Sequence, residues 1–210
     1  MIYYECIAGS RAYSLELEGS DVDVCRIADS WSTTGHDGEK HIIQVPREEF
    51  VDRAVLQRET PLYIQWWFPF EINTPGALSE YLTENRESVV RASKKRVWEL
   101  HIRTARGLSE HPEHYYPRFP KRLAYSTHYY DMLAKYAAGE PFANAIRASG
   151  DMREALIAMR KNELPLKEVI AINTDARDRA EACADWYDEA ADTGVLNGIQ
   201  KDLKELLGLR

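Results

Sequence analysis

Asp21 and Asp23 occupy alternate positions of the segment "DVDVCRIA", and the turn Gly9-Ser10 closes an earlier apolar run, "IYYECIA". Alternate positions of a strand point to one face, so the two carboxylates share a surface and repel unless a cation sits between them. Hard oxygen donors at this spacing suit one Mg²⁺, an ion that keeps several waters and completes its shell with substrate phosphates. A Gly-Ser turn after a strand offers backbone N–H groups and a hydroxyl to phosphate oxygens. Together these features describe a phosphate cradle beside a metal pair, which suits in-line attack on a nucleoside triphosphate. Either feature alone is ordinary, since an isolated D-x-D is common and a lone Gly-Ser is usually only a turn. The ordered combination carries the information.

The elements that must hold these residues follow from periodicity. Residues 2–8 are β-branched and aromatic and end at Gly9, which predicts a buried strand running into a tight turn. "DVDVCRIA" alternates and predicts a second strand, with the aspartates on one face and Val22 and Val24 on the other. "WSTTGHDGE" reads as a loop and "KHIIQV" as a third strand, with Pro46 at the first position of a helix over "PREEFVDRAVLQRE". After the aromatic connection "TPLYIQWWFPFEI" the pattern becomes helical, with a start at Asn73 or Thr74 before Pro75. The clearest later helices are "KRLAYSTHYYDMLAKYAA", "DMREALIAMRKNE" and Leu166 to about Ala191, with Gly139 and Gly150 as helix stops. The layout is α+β: an α/β unit over 1–72 and an all-helical half over 73–210.

Composition narrows the function classes. The 210 residues carry a formal net charge of -7, which excludes a wholly basic surface that coats nucleic acid but not a local basic patch. Cys6, Cys25 and Cys183 are odd in number and far apart, so they read as reduced core thiols rather than a zinc or disulfide framework. The N-terminus lacks a basic segment followed by an apolar core, and no apolar run reaches membrane-spanning length; a soluble cytoplasmic protein is expected. No P-loop, G-x-G-x-x-G, H-E-x-x-H or G-x-S-x-G occurs, which leaves P-loop kinases, dinucleotide oxidoreductases, zincins and α/β-hydrolases without support.

"GSRAYSLELEGSDVDV" resembles the signature of predicted nucleotidyltransferases of the DNA polymerase beta superfamily. The nearest branch is the one found beside RNA ligases and in phages, with a GSxAYGL…SDxD pattern. "TPLYIQWW", "KRLAYSTHYYDMLAKYAAGE" and "MRKNELPLKEVI" extend the resemblance more loosely over most of the chain. It implies a palm-like catalytic unit over 1–72 and a helical half over 73–210 that closes the cleft and selects the acceptor. It further implies that Gly9 and Ser10 bind the phosphates of an NTP such as ATP, that Arg11 and Tyr13 lie near the nucleotide, and that Lys121, on a lysine of the family's helical half, and Arg160, on an arginine that reaches a phosphate, help bind the nucleotide. Asp21 and Asp23 would be catalytic and would hold Mg²⁺ or Mn²⁺, with Glu39 as a third metal-binding carboxylate. The chain departs from the pattern at Ser14 (for glycine), Gln65 (for a frequent glutamate) and His128 (for a common arginine), and His41 falls at or near the third carboxylate's place.

The expected reaction moves a nucleoside monophosphate from an NTP to a hydroxyl acceptor and releases pyrophosphate; the acceptor is open between a nucleic-acid end, a small molecule and a protein. Two other readings use the same residues: a nucleotide-binding regulator with weakened transfer, and a toxin-like or phage-defence transferase acting on tRNA or protein. An interaction module with an accidental D-x-D is the bland rival. The remaining polar features read as structure. His111 and His114 in "HPEHYYPRFP" fit a mobile surface loop better than a metal pair. Arg91, Lys94, Lys95, Arg96, Arg103 and Arg106 read as a solvated face partnered by Glu87 and Glu99, and "YIQWWFPF" as a hydrophobic seam.

Overall fold

The computed structural model describes residues 1–30, 40–55 and 63–209, and the backbone of 32–37. In β1 (Ile2–Ile7) Tyr4 and Cys6 are buried between partly exposed neighbours, the period-2 pattern of a strand with one covered face. β2 (Val22–Ala28) buries Val24, Cys25, Ile27 and Ala28, so both its faces are covered, as befits a central strand. It pairs antiparallel with β1, Cys6 opposite Cys25, and parallel with β4 (Lys40–Pro46), Asp23 opposite His41. A two-residue strand, β5 (Glu71–Ile72), edges β1.

One expectation fails here. The stretch read as a loop contains β3 (Ser32–Asp37), antiparallel to β4, which gives the order β3-β4-β2-β1-β5. Its Gly, Asp and Thr content argues for a turn, and pairing with the edge of β4 overrides that local preference.

Helices flank and follow the sheet. The turn after β1 winds into α1 (Gly9–Ala12), and α2 (Arg47–Val55) buries Phe50, Val51, Ala54 and Val55. The rest of the expected α2 segment lies outside the described residues. α3 (Ile64–Trp67) forms the aromatic seam: Trp66 and Trp67 are fully buried, and the Trp67 indole donates to the Ala54 carbonyl at 3.2 Å. The helical stretch after it is two helices, α4 (Ala77–Ala92) and α5 (Lys94–Ser109), parted at buried Ser93, whose hydroxyl donates to the Val89 carbonyl at 2.7 Å. Thr74 starts no helix; its hydroxyl accepts the Glu5 N–H at 2.6 Å, and Gly76 caps α4 instead. "HPEHYYPRFP" contains a helical turn, α6 (Pro112–Tyr115).

α7 (Pro120–Ala137) is the central helix, packed on α5, α9 (Gly150–Arg160) and α10 (Leu166–Glu181). Gly139 follows α7 at φ +99, a left-handed stop as expected. Gly150, also expected as a stop, is instead the first residue of α9. Short α8 (Phe142–Ala145) and α11 (Ala184–Tyr187) complete the helical half with α12 (Thr193–Leu206). α12 returns to pack on α2 and α4, and the Arg47 guanidinium donates to the Leu207 carbonyl at 2.6 Å.

The basic stretch is a paired outer face. Lys94 meets Glu189 at 2.5 Å, Lys95 meets Asp188 at 2.6 Å, and Arg96 meets Glu99 at 3.4 Å. Glu87, expected as a partner for these cations, instead accepts the Phe142 and Ala143 N–H groups at 3.1 and 2.8 Å, capping α8. No helix among the described residues is long and apolar enough to cross a membrane.

Candidate functional site

The site forms where the turn after β1 meets β2. Gly9 adopts φ +62, which an L side chain rarely tolerates. A second constraint is steric: a Cβ on Gly9 would fall inside the Asp23 carboxylate and 2.7 Å from Asp23 Cβ. Asp23 Oδ2 therefore occupies the room that the missing side chain leaves. The other oxygen, Oδ1, lies 3.0 Å from His41 Nδ1 across the parallel ladder. Asp21 immediately precedes β2, is exposed, and has no partner among the described residues. Glu39 lies outside the described residues, and the position facing Asp23 on β4 belongs to His41.

Gln65 fixes the turn. Its side-chain carbonyl accepts the Gly9 N–H at 2.6 Å, and its amide donates to the Tyr13 hydroxyl at 2.8 Å. The Gly9 N–H, expected to hold a phosphate, is thus already spent. Tyr13, expected near the nucleotide, is buried, its ring ringed by Tyr125, His128 and Tyr129 at centroid distances of 5.6, 5.2 and 5.9 Å. Through its hydroxyl, which accepts from Gln65, it helps to hold the turn. Ser14, in the place of a glycine in the resembling pattern, takes φ +58, a left-handed conformation costing ~1–2 kcal/mol. The Arg153 guanidinium donates to the Ser14 carbonyl at 2.8 Å, and the Ala148 N–H to the Tyr13 carbonyl at 2.9 Å, so the helical half holds this strained loop in place.

From the helical side, α7 presents one stripe to the turn. Lys121, Tyr125, His128 and Tyr129 follow helical i, i+4, i+7, i+8 spacing, with Lys121 exposed at the first turn. Burial raises the Tyr125 phenol above its ordinary range, Arg160 pulls it down, the Asp23 charge raises it, and hydrogen bonding with Ser10 and Arg160 lowers it. The Tyr125 ring meets Tyr13 edge-on, which sets it beside the Gly9-Ser10 turn. Ser10 is buried, and Arg160, the last residue of α9, is only 8% exposed with its Cζ 5.7 Å from the Tyr125 ring centroid. Its Nε and Nη1 find no hydrogen-bond partner among the described residues, and neither does Nε of Arg11. A buried guanidinium with free N–H groups costs stability unless an acceptor arrives.

The structure therefore gathers Gly9, Ser10, Asp23 and Arg160 around Tyr125, with Lys121 one helical turn away on the same stripe. Gln65 and Tyr125 were missed as site residues. The helical spacing of Tyr125 from Lys121 was a usable signal; nothing local marks Gln65 as the clamp on Gly9.

His128, which stands where the resembling pattern has an arginine, is a neutral core residue. Its Nε2 faces the Ile146 carbonyl at 2.9 Å, and burial drives its pKa from 6.5 down to about 4. Burial does the same to His101, which packs on Tyr129 at 5.0 Å. The folded state stays neutral where the unfolded chain takes up protons. Their contribution is thus fully present above about pH 6.5 and is lost as pH falls through about 4, at up to ~1.4 kcal/mol per pH unit per imidazole. Urea midpoints between neutral and mildly acidic pH should fall for the wild type and fall less steeply for His128→Gln. Equal slopes in the two proteins would remove His128 from this account.

Neither a protein family, a curated protein nor a solved structure matches the chain.

Proposed function

We propose that this chain is a nucleotidyltransferase that moves a nucleoside monophosphate from an NTP to a hydroxyl acceptor and releases pyrophosphate. The observation that carries this reading is a carboxylate packed onto a glycine turn together with a buried arginine with unpaired N–H groups, which lies over Tyr125, a ring that packs on the same turn through Tyr13. The first suits a cation and the second suits an anion, and a metal-bound triphosphate is both. The sheet with its turn after β1 and carboxylates at β2 supports a palm-like unit over 1–72. Residues 73–210 would close over it and select the acceptor.

Asp21 and Asp23 fit Mg²⁺ or Mn²⁺ as hard oxygen donors: Asp23 Oδ2 sits in the cradle over Gly9, and Asp21 is exposed and unpaired among the described residues. When bound, the ion neutralises phosphate charge and stabilises the attacking and leaving oxygens. The protein's own groups do the rest. Arg160 offers a planar fork of donors to phosphate oxygens, the Ser10 hydroxyl lies beside it, and Arg11 and Lys121 add positive charge at the rim. Gln65 and Tyr13 keep the Gly9 turn in its strained conformation. The acceptor oxygen bonds to the α-phosphorus as the bond to pyrophosphate breaks, and the hydroxyl proton passes to solvent or to the departing pyrophosphate.

Thermal-shift and pyrophosphate-release assays with the four NTPs and Mg²⁺ or Mn²⁺ test this. The wild type should be stabilised by millimolar metal–NTP, by an amount set by concentration over dissociation constant. Asp21→Asn and Asp23→Asn should lose that shift and lower turnover by at least ~10²-fold. Full activity in both variants would remove the site. A second reading, a nucleotide-binding regulator with weakened transfer, is favoured by His41 facing Asp23 where a third carboxylate is expected. It predicts the same thermal shift with no pyrophosphate from any NTP.

A further inference from the structure

Apart from the site on β2, the described residues bring together another set of metal-ligating side chains: His111, Glu113 and His114. The sequence reads this stretch as a mobile loop, but its backbone is tied down at several points. Pro112 is buried at the first position of α6, the His114 N–H donates to the His111 carbonyl at 3.0 Å, and the Tyr116 N–H to the Pro112 carbonyl at 2.8 Å. The Tyr116 hydroxyl donates to the Leu164 carbonyl at 2.9 Å and accepts the Leu164 N–H at 3.2 Å, anchoring the turn to the segment between α9 and α10.

On this anchored turn the three side chains are exposed and converge. Glu113 Oε1 lies 3.5 Å from His111 Nδ1 and 3.9 Å from His114 Nε2, and the two imidazoles stack at 5.4 Å. One ligand atom from each residue can be chosen so that all three lie within 4.8 Å of one another. A tetrahedral ion with bonds of about 2.0–2.1 Å spaces its ligands about 3.3 Å apart. The chosen ligand atoms exceed that spacing by at most about 1.5 Å.

We propose that His111, Glu113 and His114 form a binding site for a borderline first-row divalent cation of the Zn²⁺ or Ni²⁺ kind. Two imidazoles and one carboxylate favour such ions over Mg²⁺ and Ca²⁺, which prefer all-oxygen shells. Three protein ligands leave at least one position open to water or to an external donor, unlike a closed structural zinc site. Nothing in this site depends on Asp21 or Asp23.

Calorimetric titration of the tag-free chain with Zn²⁺ or Ni²⁺, in millimolar Mg²⁺, tests the proposal. One equivalent should bind, unchanged in Asp23→Asn and at least about tenfold weaker in His111→Asn and His114→Asn. Co²⁺ should give a d–d absorption band that the double variant loses, with an unchanged far-ultraviolet spectrum because both side chains are exposed. No binding by the wild type, or undiminished binding by the double variant, overturns the proposal; the latter would move the ion to other residues.

Discussion

Gly9→Ala is expected to lower the melting temperature by on the order of 10 °C and to abolish stabilisation by metal–NTP. Two separate penalties meet at this position. The left-handed backbone at φ +62 costs an L side chain ~1–2 kcal/mol. The new methyl would also overlap the Asp23 carboxylate, and overpacking of that kind adds ~1–3 kcal/mol. A chain of this size loses about 2–4 °C per kcal/mol. The two penalties can be separated, because Asp23→Gly removes the whole side chain, Cβ included, and leaves the backbone term. Gly9→Ala should therefore cost only ~1–2 kcal/mol in the Asp23→Gly background, and a double-mutant cycle reads the difference. Equal costs in both backgrounds would mean that the close approach of Asp23 to Gly9 is not what selects glycine here.

Arg160→Met is expected to act with opposite signs on stability and on binding. Free of ligand, the variant should melt a few degrees higher, because an apolar side chain of similar length replaces a buried guanidinium with two nitrogens that lack hydrogen-bond partners. The gain is ~1–3 kcal/mol, reduced by the loss of ~0.5–1 kcal/mol from the contact with the Tyr125 ring. In millimolar metal–NTP the order should reverse, since the wild type alone gains a phosphate partner for those donors. Arg160→Lys should recover only part of the nucleotide shift, because an ammonium keeps the charge but not the planar fork. If Arg160→Met melts lower than the wild type and still responds fully to nucleotide, the arginine is structural and the anion site lies elsewhere.

The parts of this site that were legible in the sequence are those that depend on local periodicity. β-branched and aromatic content marked β1, alternation marked β2, the apolar run before Pro46 marked β4, and helical spacing marked α7, α9 and α10. β3 was hidden because "STTGHD" forms a strand through its partner β4, not through its own preference. Gly150 was assigned the wrong end of a helix because a glycine signals positive φ without saying which side the helix lies on. α12 drew no notice because "TGVLNGIQKDLKEL" carries two glycines, although Asp192 caps it by accepting the Val195 N–H at 3.1 Å.

Gln65 shows the deeper limit. It reaches Gly9 and Tyr13 across more than fifty residues of chain, so no window of sequence contains the contact. Only the fold brings a seam of aromatic residues close enough for its one amide to clamp the turn. Gln65 also accounts for a departure from the expected chemistry, because it takes the very N–H that the resemblance assigns to a phosphate.

The return of α12 onto α2 has a consequence for how the protein is made. The Arg47–Leu207 contact spans 160 residues, and Leu196, Ile199 and Leu203 are buried on the helix that closes over this early segment. At ribosomal speeds of ~5–20 residues per second, α2 waits roughly 10–30 s for its cover. Throughout that interval the nascent sheet and its helix display apolar surface that the finished molecule hides. The last apolar cover over α2 is thus laid down only once α12 has left the exit tunnel.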